Sequence, residues 1–191
     1  MGPKINPDLE AMAKILNDVI TKKFKAQERL VLSQEPTLVK NDIVEYDKKL
    51  KVSALDKFNN PGYVAAGNYY LSEKDLAAKK TCGAVVLYIL EADIGTFLKA
   101  FEYTNFDDEN PEEIIPKCYE FGKVIGKEFQ QALSANGYVN LCMSEPLGNR
   151  NSLPLGVDFS YDQYDKYEIS YFVGKIKILV AELTMTIVPK K

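Results

Sequence analysis

The chain has 191 residues, of which 46% are hydrophobic, a content that suits one folded domain with a sizeable core and excludes intrinsic disorder. The 24 basic and 27 acidic side chains give a net charge of −3 without a basic stripe, so the sequence predicts no nucleic-acid partner. Histidine is absent, which excludes histidine-based catalysis, His-ligated metal sites and histidine phosphotransfer for this chain.

The apolar runs are too short for a membrane protein. The longest, residues 84–90, is far below the roughly 20 residues that span a bilayer, and the N-terminal residues contain no apolar signal core. Three cysteines, Cys82, Cys118 and Cys142, are odd in number and form no CxxC, which favours free thiols. The sequence therefore predicts a cytoplasmic protein with no membrane partner.

The first predicted element is an amphipathic helix. Asn6 is placed to cap it, Pro7 suits the first helical position, and apolar residues recur every three or four positions down to about Lys25. Short strands are then predicted at 29–33, 37–45, 49–55 and 63–71. Ser72 is predicted to cap a short helix over 75–79. We expect the region 34–80 to be strands joined by loops, some of it an elaboration of the domain.

The strongest strand signal is TCGAVVLYIL, residues 81–90, whose nearly uniform apolar character predicts a central strand covered on both faces. A helix over 91–103 and an acidic loop over 104–110 follow. Later strands are predicted at 138–144, 157–161, 168–173 and 176–188, with a loop at 148–151 and either a long closing strand or a hairpin that turns at Gly174. This order predicts an α+β fold, in which a largely antiparallel sheet packs against long helices.

The stretch NPEEIIPKCYEFGKVIGKEFQQAL, residues 110–133, predicts a long helix with an apolar inner face. Pro116 predicts either a short turn with a restart at that residue or a kink. The outer face is charged and carries Glu113, Lys117, Glu120, Lys123 and Lys127. Charges at this spacing are most often an ordinary solvated helix face, so a functional interpretation needs a further argument.

Three segments supply that argument by their order and spacing. The first segment is INPDLEAMAKIL, the second is GAVVLYILEADIGTFLKAF with the acidic loop and long helix after it, and the third is GYVNLCMSEPLGN. In these segments the chain resembles the CheC/CheX-type chemotaxis phosphatases, most closely the CheX-like branch. The resemblance covers roughly residues 5–24 and 81–148. It implies a CheC-like α+β fold and a helix that inserts beside the acyl phosphate of a response-regulator receiver domain. That partner supplies its own aspartyl phosphate and its bound Mg²⁺.

The family's working motif is a Glu followed three residues later by an Asn. The resemblance places the Glu, which pairs with the regulator's lysine, on Glu120, and the Asn, whose amide orients the attacking water, on Lys123. An amide both donates and accepts hydrogen bonds, whereas an ammonium only donates, so this chain departs from the pattern at Lys123. A second register, which aligns Gly126 with the family's helix glycine, places Tyr119 and Gly122 at the two positions and loses both groups.

Three functions follow as alternatives. The resemblance implies a receiver-domain phosphatase with no cofactor of its own, with catalytic positions at Glu120 and Lys123 and partner-binding residues Glu113, Lys117, Glu120 and Lys127. The second alternative is a non-catalytic signalling or assembly module that has lost the phosphatase Asn. The third is a homodimer, or larger homo-oligomer, built through an edge strand from the last third of the chain, with no receiver partner.

Overall fold

The computed structural model describes residues 5–160 and 162–191. Its helices are α1 (Leu9–Lys25), α2 (Ala54–Phe58), α3 (Glu73–Ala77), α4 (Ile94–Ala100) and α5 (Pro111–Ala135). Its strands are β1 (Thr37–Asp42), β2 (Glu45–Tyr46), β3 (Lys49–Leu50), β4 (Gly62–Tyr70), β5 (Gly83–Leu90), β6 (Cys142–Met143), β7 (Leu147–Arg150), β8 (Asp165–Val173) and β9 (Ile176–Met185). The α+β class predicted from the sequence is confirmed.

The main sheet has seven strands, and all of its pairings are antiparallel. The order is β1-β8-β9-β5-β4, and β6 and β7 lie one after the other along the outer edge of β4. All eight residues of β5 are buried, which confirms the central strand predicted from its uniform apolar sequence. Strands β8 and β9 form the hairpin that turns at Gly174, where φ is +60°.

The two faces of the sheet are covered differently. Helices α1, α4 and α5 pack the larger apolar core onto one face, to which α1 contributes Met12, Leu16 and Ile20. The other face is covered by the chain around β3 and α2 and by residues 153–157. Because both faces are covered, the central strands are apolar on both sides, and the long α5 presents its outer face to solvent.

The second face also holds a buried ionic cluster. Glu182 on β9, only 1% exposed, accepts hydrogen bonds from Lys166 Nζ at 2.5 Å and from the Tyr88 hydroxyl at 2.6 Å. It also contacts the ammonium of Lys57 on α2, which donates to Glu168 at 2.6 Å. Burial opposes the charge of Glu182, but the two ammonium groups outweigh it and hold the pKa of this carboxyl below its ordinary value. Through Lys57, the cluster holds α2 against the sheet.

Several predicted strands in the first half are wrong. Residues 29–33 form no strand: the Ser33 N–H donates to the carbonyl of Phe172 at 2.9 Å, but the edge of β8 beyond that point is taken by β1. The strand predicted over 49–55 is limited to β3, because Ser53 accepts a hydrogen bond from the N–H of Asp56 and starts α2. In contrast, β4 continues without interruption through Gly67 and Asn68, the two residues that disfavour a strand.

In the second half, the predicted loop over 148–151 is wrong, since β7 pairs with β4 there. The strand predicted over 138–144 is reduced to β6, and the one over 157–161 to a single bridge between Leu50 and Val157, with Tyr161 outside the described residues. Helix α4 is shorter than the predicted 91–103, and α3 begins two residues before the predicted 75–79.

Asn6 lies next to the cap of α1 rather than at it. Its Oδ1 accepts from the N–H of Asp8, the N-cap residue, at 3.0 Å. Its Nδ2 donates to the carbonyls of Met185 and Thr186 at 3.0 and 2.8 Å. Asn6 therefore joins the start of α1 to the end of β9. Within the described part of the chain, no helix is long and apolar enough to cross a bilayer.

Candidate functional site

Helix α5 runs without interruption over 25 residues, so the predicted restart at Pro116 is wrong. Pro116 lies in the second turn, where it removes the N–H that would bond the carbonyl of Glu112 and places its ring near that carbonyl. Asn110 caps the helix, since its Oδ1 accepts from the N–H of Glu112 at 3.1 Å, and Pro111 is the first helical residue.

Glu113, predicted to bind a partner, takes part in this cap. Its Oε2 accepts from the N–H of Asp107 at 2.9 Å and its Oε1 from Asn110 Nδ2 at 3.3 Å. Together with the Asn110 cap, these bonds give a reciprocal arrangement of the capping-box type. Glu113 thus holds the acidic loop 104–110 against the start of α5, and its contact with a partner stays a prediction.

Two glycines bring α5 close to strand β4. A Cβ on Gly122 would lie 2.7 Å from the Cβ of Ala65, so only glycine fits at the present helix–strand distance. One turn later, the Tyr69 hydroxyl donates to the carbonyl of Gly126 at 3.0 Å. The glycines of GKVIGK therefore serve helix–sheet packing, and they fix which side of α5 is left for solvent.

Glu120 lies at the centre of the outer face. It is exposed and has no hydrogen bond or ion pair with any residue in the described ranges. Its carboxylate lies near the phenol of Tyr103, whose pKa rises to about 12 because the ring is partly buried and because Glu120 is negatively charged. Lys117 and Lys127, on the same face, likewise form no ion pair with the described residues. Glu120 is thus a carboxylate free to bind another molecule.

Lys123, one turn further on, is engaged within the chain. Its Nζ lies 2.7 Å from Oε2 of Glu145, a residue between β6 and β7. The same ammonium lies 5.8 Å from the centre of the Tyr119 ring, and the Tyr119 hydroxyl donates to the same oxygen of Glu145. Two donors from adjacent turns of α5 therefore converge on one carboxylate.

The electrostatics follow from this contact. The hydrogen bonds from Lys123 and Tyr119 lower the pKa of Glu145, with a further contribution from the charge of Lys127. The Glu145 carboxylate in turn raises the pKa of Lys123 and that of Tyr119. At neutral pH these shifts keep Glu145 negatively charged, Lys123 positively charged and the Tyr119 hydroxyl protonated, which are the states that the contact requires.

Glu145 occupies a β-bulge. Met143 in β6 pairs with Tyr69 of β4, and Leu147 in β7 pairs with Ala66. Three residues, 144–146, therefore face only two residues of β4. A bulge of this kind changes the local direction of a strand and of its side chains. Here it lies beside α5, and the carboxylate of Glu145 contacts Lys123.

The geometry bears on the two motif registers. In the first, Glu120 is exposed and unpaired, and Lys123 is paired with Glu145. In the second, Gly122 faces Ala65 on the sheet and Tyr119 is bonded to Glu145, so neither position offers a free group. Of the two registers, only the first has a charged side chain that is exposed and unpaired within the described residues, that of Glu120. In the described residues, no group of three or more Cys, Asp or Glu is placed to hold a metal ion.

Sequence reasoning missed Glu145 as a member of this site. The acid lies 22 residues after Lys123 and belongs to no helical or strand pattern, so only the fold brings the two together. The sequence places Tyr119 at a motif position only in the second register. The one sequence signal was MSEPLGN itself, in which an acid stands immediately before Pro146 at the break between two short strands.

The fold is that of CheC-like and CheX chemotaxis proteins, whose solved structures align with nearly the whole chain. No protein-family model matches the sequence, and no curated protein matches it.

The similarity lies in structure rather than in sequence. A chemotaxis protein CheX from Desulfovibrio desulfuricans aligns with a TM-score of 0.58 at 11% identity, covering 92% of this chain and 99% of that one. FliY from Thermotoga maritima aligns with a TM-score of 0.55 at 11% identity, covering 95% and 91%. A chain of the CheX–CheY–BeF3–Mg²⁺ complex from Borrelia burgdorferi aligns with a TM-score of 0.50 at 12% identity, covering 91% and 97%.

Proposed function

We propose that this chain is a CheX-like signalling protein that docks on a response-regulator receiver domain through the outer face of α5. The observation that carries the proposal is Glu120, an exposed and unpaired carboxylate at the centre of that face. The CheC-like fold supports it, as does the existence of a CheX–CheY complex among the structures of similar fold. A cytoplasmic location goes with this proposal.

We further propose that docking occurs without efficient dephosphorylation. In the family's mechanism, in-line attack on the acyl phosphate is accelerated by an amide that positions a water by both donating and accepting hydrogen bonds. Lys123 stands where the family's amide would be, its ammonium only donates, and it is occupied by Glu145 at 2.7 Å. The Mg²⁺ that such a phosphate needs belongs to the receiver domain, so the chain itself requires no cofactor.

The test uses CheY-type receiver domains carrying labelled aspartyl phosphate or beryllofluoride. Binding is measured for the wild type, Glu120→Ala and Lys123→Asn, and label loss is followed for each. We expect the wild type to bind without accelerating label loss, and Glu120→Ala to weaken binding by about tenfold or more, as for loss of an interfacial charge pair.

Glu28→Ala is the matched control, because Glu28 is exposed and its side chain forms no hydrogen bond or ion pair with the described residues. It should leave binding unchanged. Lys123→Asn should gain measurable dephosphorylation, since it restores the amide. Absence of binding to every receiver domain would refute the docking proposal, whereas rapid label loss with the wild type would refute only the second one.

A further inference from the structure

The strongest unexplained feature is the contact between Lys123 and Glu145. Glu145 has a side chain that is 67% exposed, yet it receives both the Lys123 ammonium and the Tyr119 hydroxyl. Exposed ion pairs contribute little to stability, so folding alone gives no reason for this convergence. The carboxylate lies beside the face of α5 that we propose binds the receiver domain.

The position of Glu145 is fixed by both of its flanks. The N–H of Ser144 donates to the carbonyl of Asn68 at 2.9 Å, and the Asn68 N–H donates to Ser144 Oγ at 3.1 Å. On the other side, Leu147 pairs with Ala66. Because both neighbours are anchored to the same strand, the bulge holds the carboxylate at Lys123 instead of leaving it on a free loop.

The charges around this point are few. Lys123 and Lys127 are the cations that act on Glu145, and Glu120 is the free acid on the same face. Phosphorylation gives the docking surface of a receiver domain about one additional negative charge, because a singly charged aspartate becomes an acyl phosphate with about two negative charges. Such an anion would be attracted by a free Lys123, but Glu145 already occupies that ammonium and repels a second anion.

We propose that Glu145 is a specificity-determining residue that acts as an internal anion: it neutralises Lys123 and lowers the preference of this surface for the phosphorylated form of the receiver domain. This inference rests on the docking function proposed above. The chain thereby accepts receiver domains with little regard to their phosphorylation state, which suits a docking module better than a phosphatase.

The test measures binding of CheY-type receiver domains, all in the presence of Mg²⁺ and each with and without beryllofluoride, to the wild type, Glu145→Gln, Lys123→Met and the double variant. Glu28→Gln is the matched control for loss of one negative charge. We expect Glu145→Gln to raise the affinity ratio, beryllofluoride-loaded over unloaded, by about fivefold. The gain should disappear in the double variant, because it requires the freed ammonium of Lys123.

Three results would overturn the inference. An equal gain for both receiver forms would show that Glu145 acts only through overall charge, and so would the same gain in Glu28→Gln. A gain that persists in the double variant would show that Lys123 is not the group released. Any of these three results overturns this inference alone and leaves the docking proposal standing, whereas no binding by the wild type or any variant refutes the docking proposal and this inference with it.

Discussion

The hydroxyl of Tyr69 donates to the backbone carbonyl of Gly126 at 3.0 Å, and through this bond strand β4 holds the middle of α5. Tyr69 is fully buried, so its hydroxyl has no access to water. The same strand anchors the bulge that carries Glu145. Strand β4 therefore sets the positions of both halves of the candidate site, the helix and the bulge.

Tyr69→Phe should lower the free energy of unfolding by about 1 kcal/mol, the usual contribution of one buried hydrogen bond. The ring itself is retained, so its edge contact with Phe129 should persist. Urea denaturation followed by circular dichroism would measure the change. A loss below about 0.3 kcal/mol would mean that the bond does not stabilise the packing of α5 on β4.

Gly122→Ala should destabilise the protein although alanine favours helices. The new methyl group would lie 2.7 Å from the Cβ of Ala65, and overpacking of this kind costs about 1–3 kcal/mol against a helix-propensity gain of about 1 kcal/mol. A double-mutant cycle with Ala65→Gly is the appropriate measurement. We expect Gly122→Ala to cost much less in the Ala65→Gly background, and an equal cost in both backgrounds would contradict the close approach.

Glu182→Gln should be strongly destabilising, because it leaves the ammonium groups of Lys57 and Lys166 buried without their shared carboxylate. Loss of one partner from a buried ion pair costs about 3–5 kcal/mol. Asp56→Asn, which removes the exposed pair with Lys51, is the control and should cost less than about 1 kcal/mol. Unfolding curves at neutral pH distinguish the two, and similar losses for both variants would contradict a buried cluster.

The same carboxylate makes stability depend on pH. The folded-state pKa of Glu182 lies below its ordinary value of 4.5, so its contribution is present above that pH and is lost as the pH falls toward the folded-state pKa. Between pH 5 and pH 3, roughly the range where an ordinary carboxyl titrates, the wild type should lose more stability than Glu182→Gln. Denaturation at a series of pH values checks this, and parallel curves for the two proteins would refute it.

Glu145→Gln should lower the pKa of Tyr119. The hydroxyl of Tyr119 now donates to a carboxylate, which raises its pKa, while the nearby charge of Lys123 acts in the opposite direction. Removal of the negative charge takes away the largest raising contribution and leaves desolvation, which raises the pKa, against Lys123, which lowers it. Titration of the ¹³Cζ resonance of Tyr119 above pH 9 would follow this, and an unchanged midpoint would mean that the hydroxyl does not bond Glu145 in solution.

The helices and the central strand could be predicted from sequence because their signals are local. The apolar repeats of α1 and α5 and the uniform run of β5 each lie within one continuous segment. Residues 29–33 show why such signals can fail. Leu30 is buried and Val31 is 69% exposed, an alternation that suits a strand, but the neighbouring sheet edge is already taken by β1.

Strand β7 shows the reverse case. Leu147–Arg150 contains Gly148 and Asn149, which are poor strand formers, yet it pairs along β4 because that edge is open to it. The candidate site likewise has a part that sequence could predict and a part that it could not. Glu120 and Lys123 are predicted from helical spacing and a family resemblance, whereas the partner of Lys123 depends on how β6 and β7 pair with β4. No pattern within α5 encodes Glu145.

The bulge at residues 144–146 has an evolutionary consequence. An in-frame deletion of one codon there would give β6 and β7 a single continuous register on β4, and it would shift which side chains point toward α5. The reverse insertion would create the contact with Lys123 anew. A lineage could therefore gain or lose this carboxylate in one mutational step while every residue of the helix itself stays unchanged.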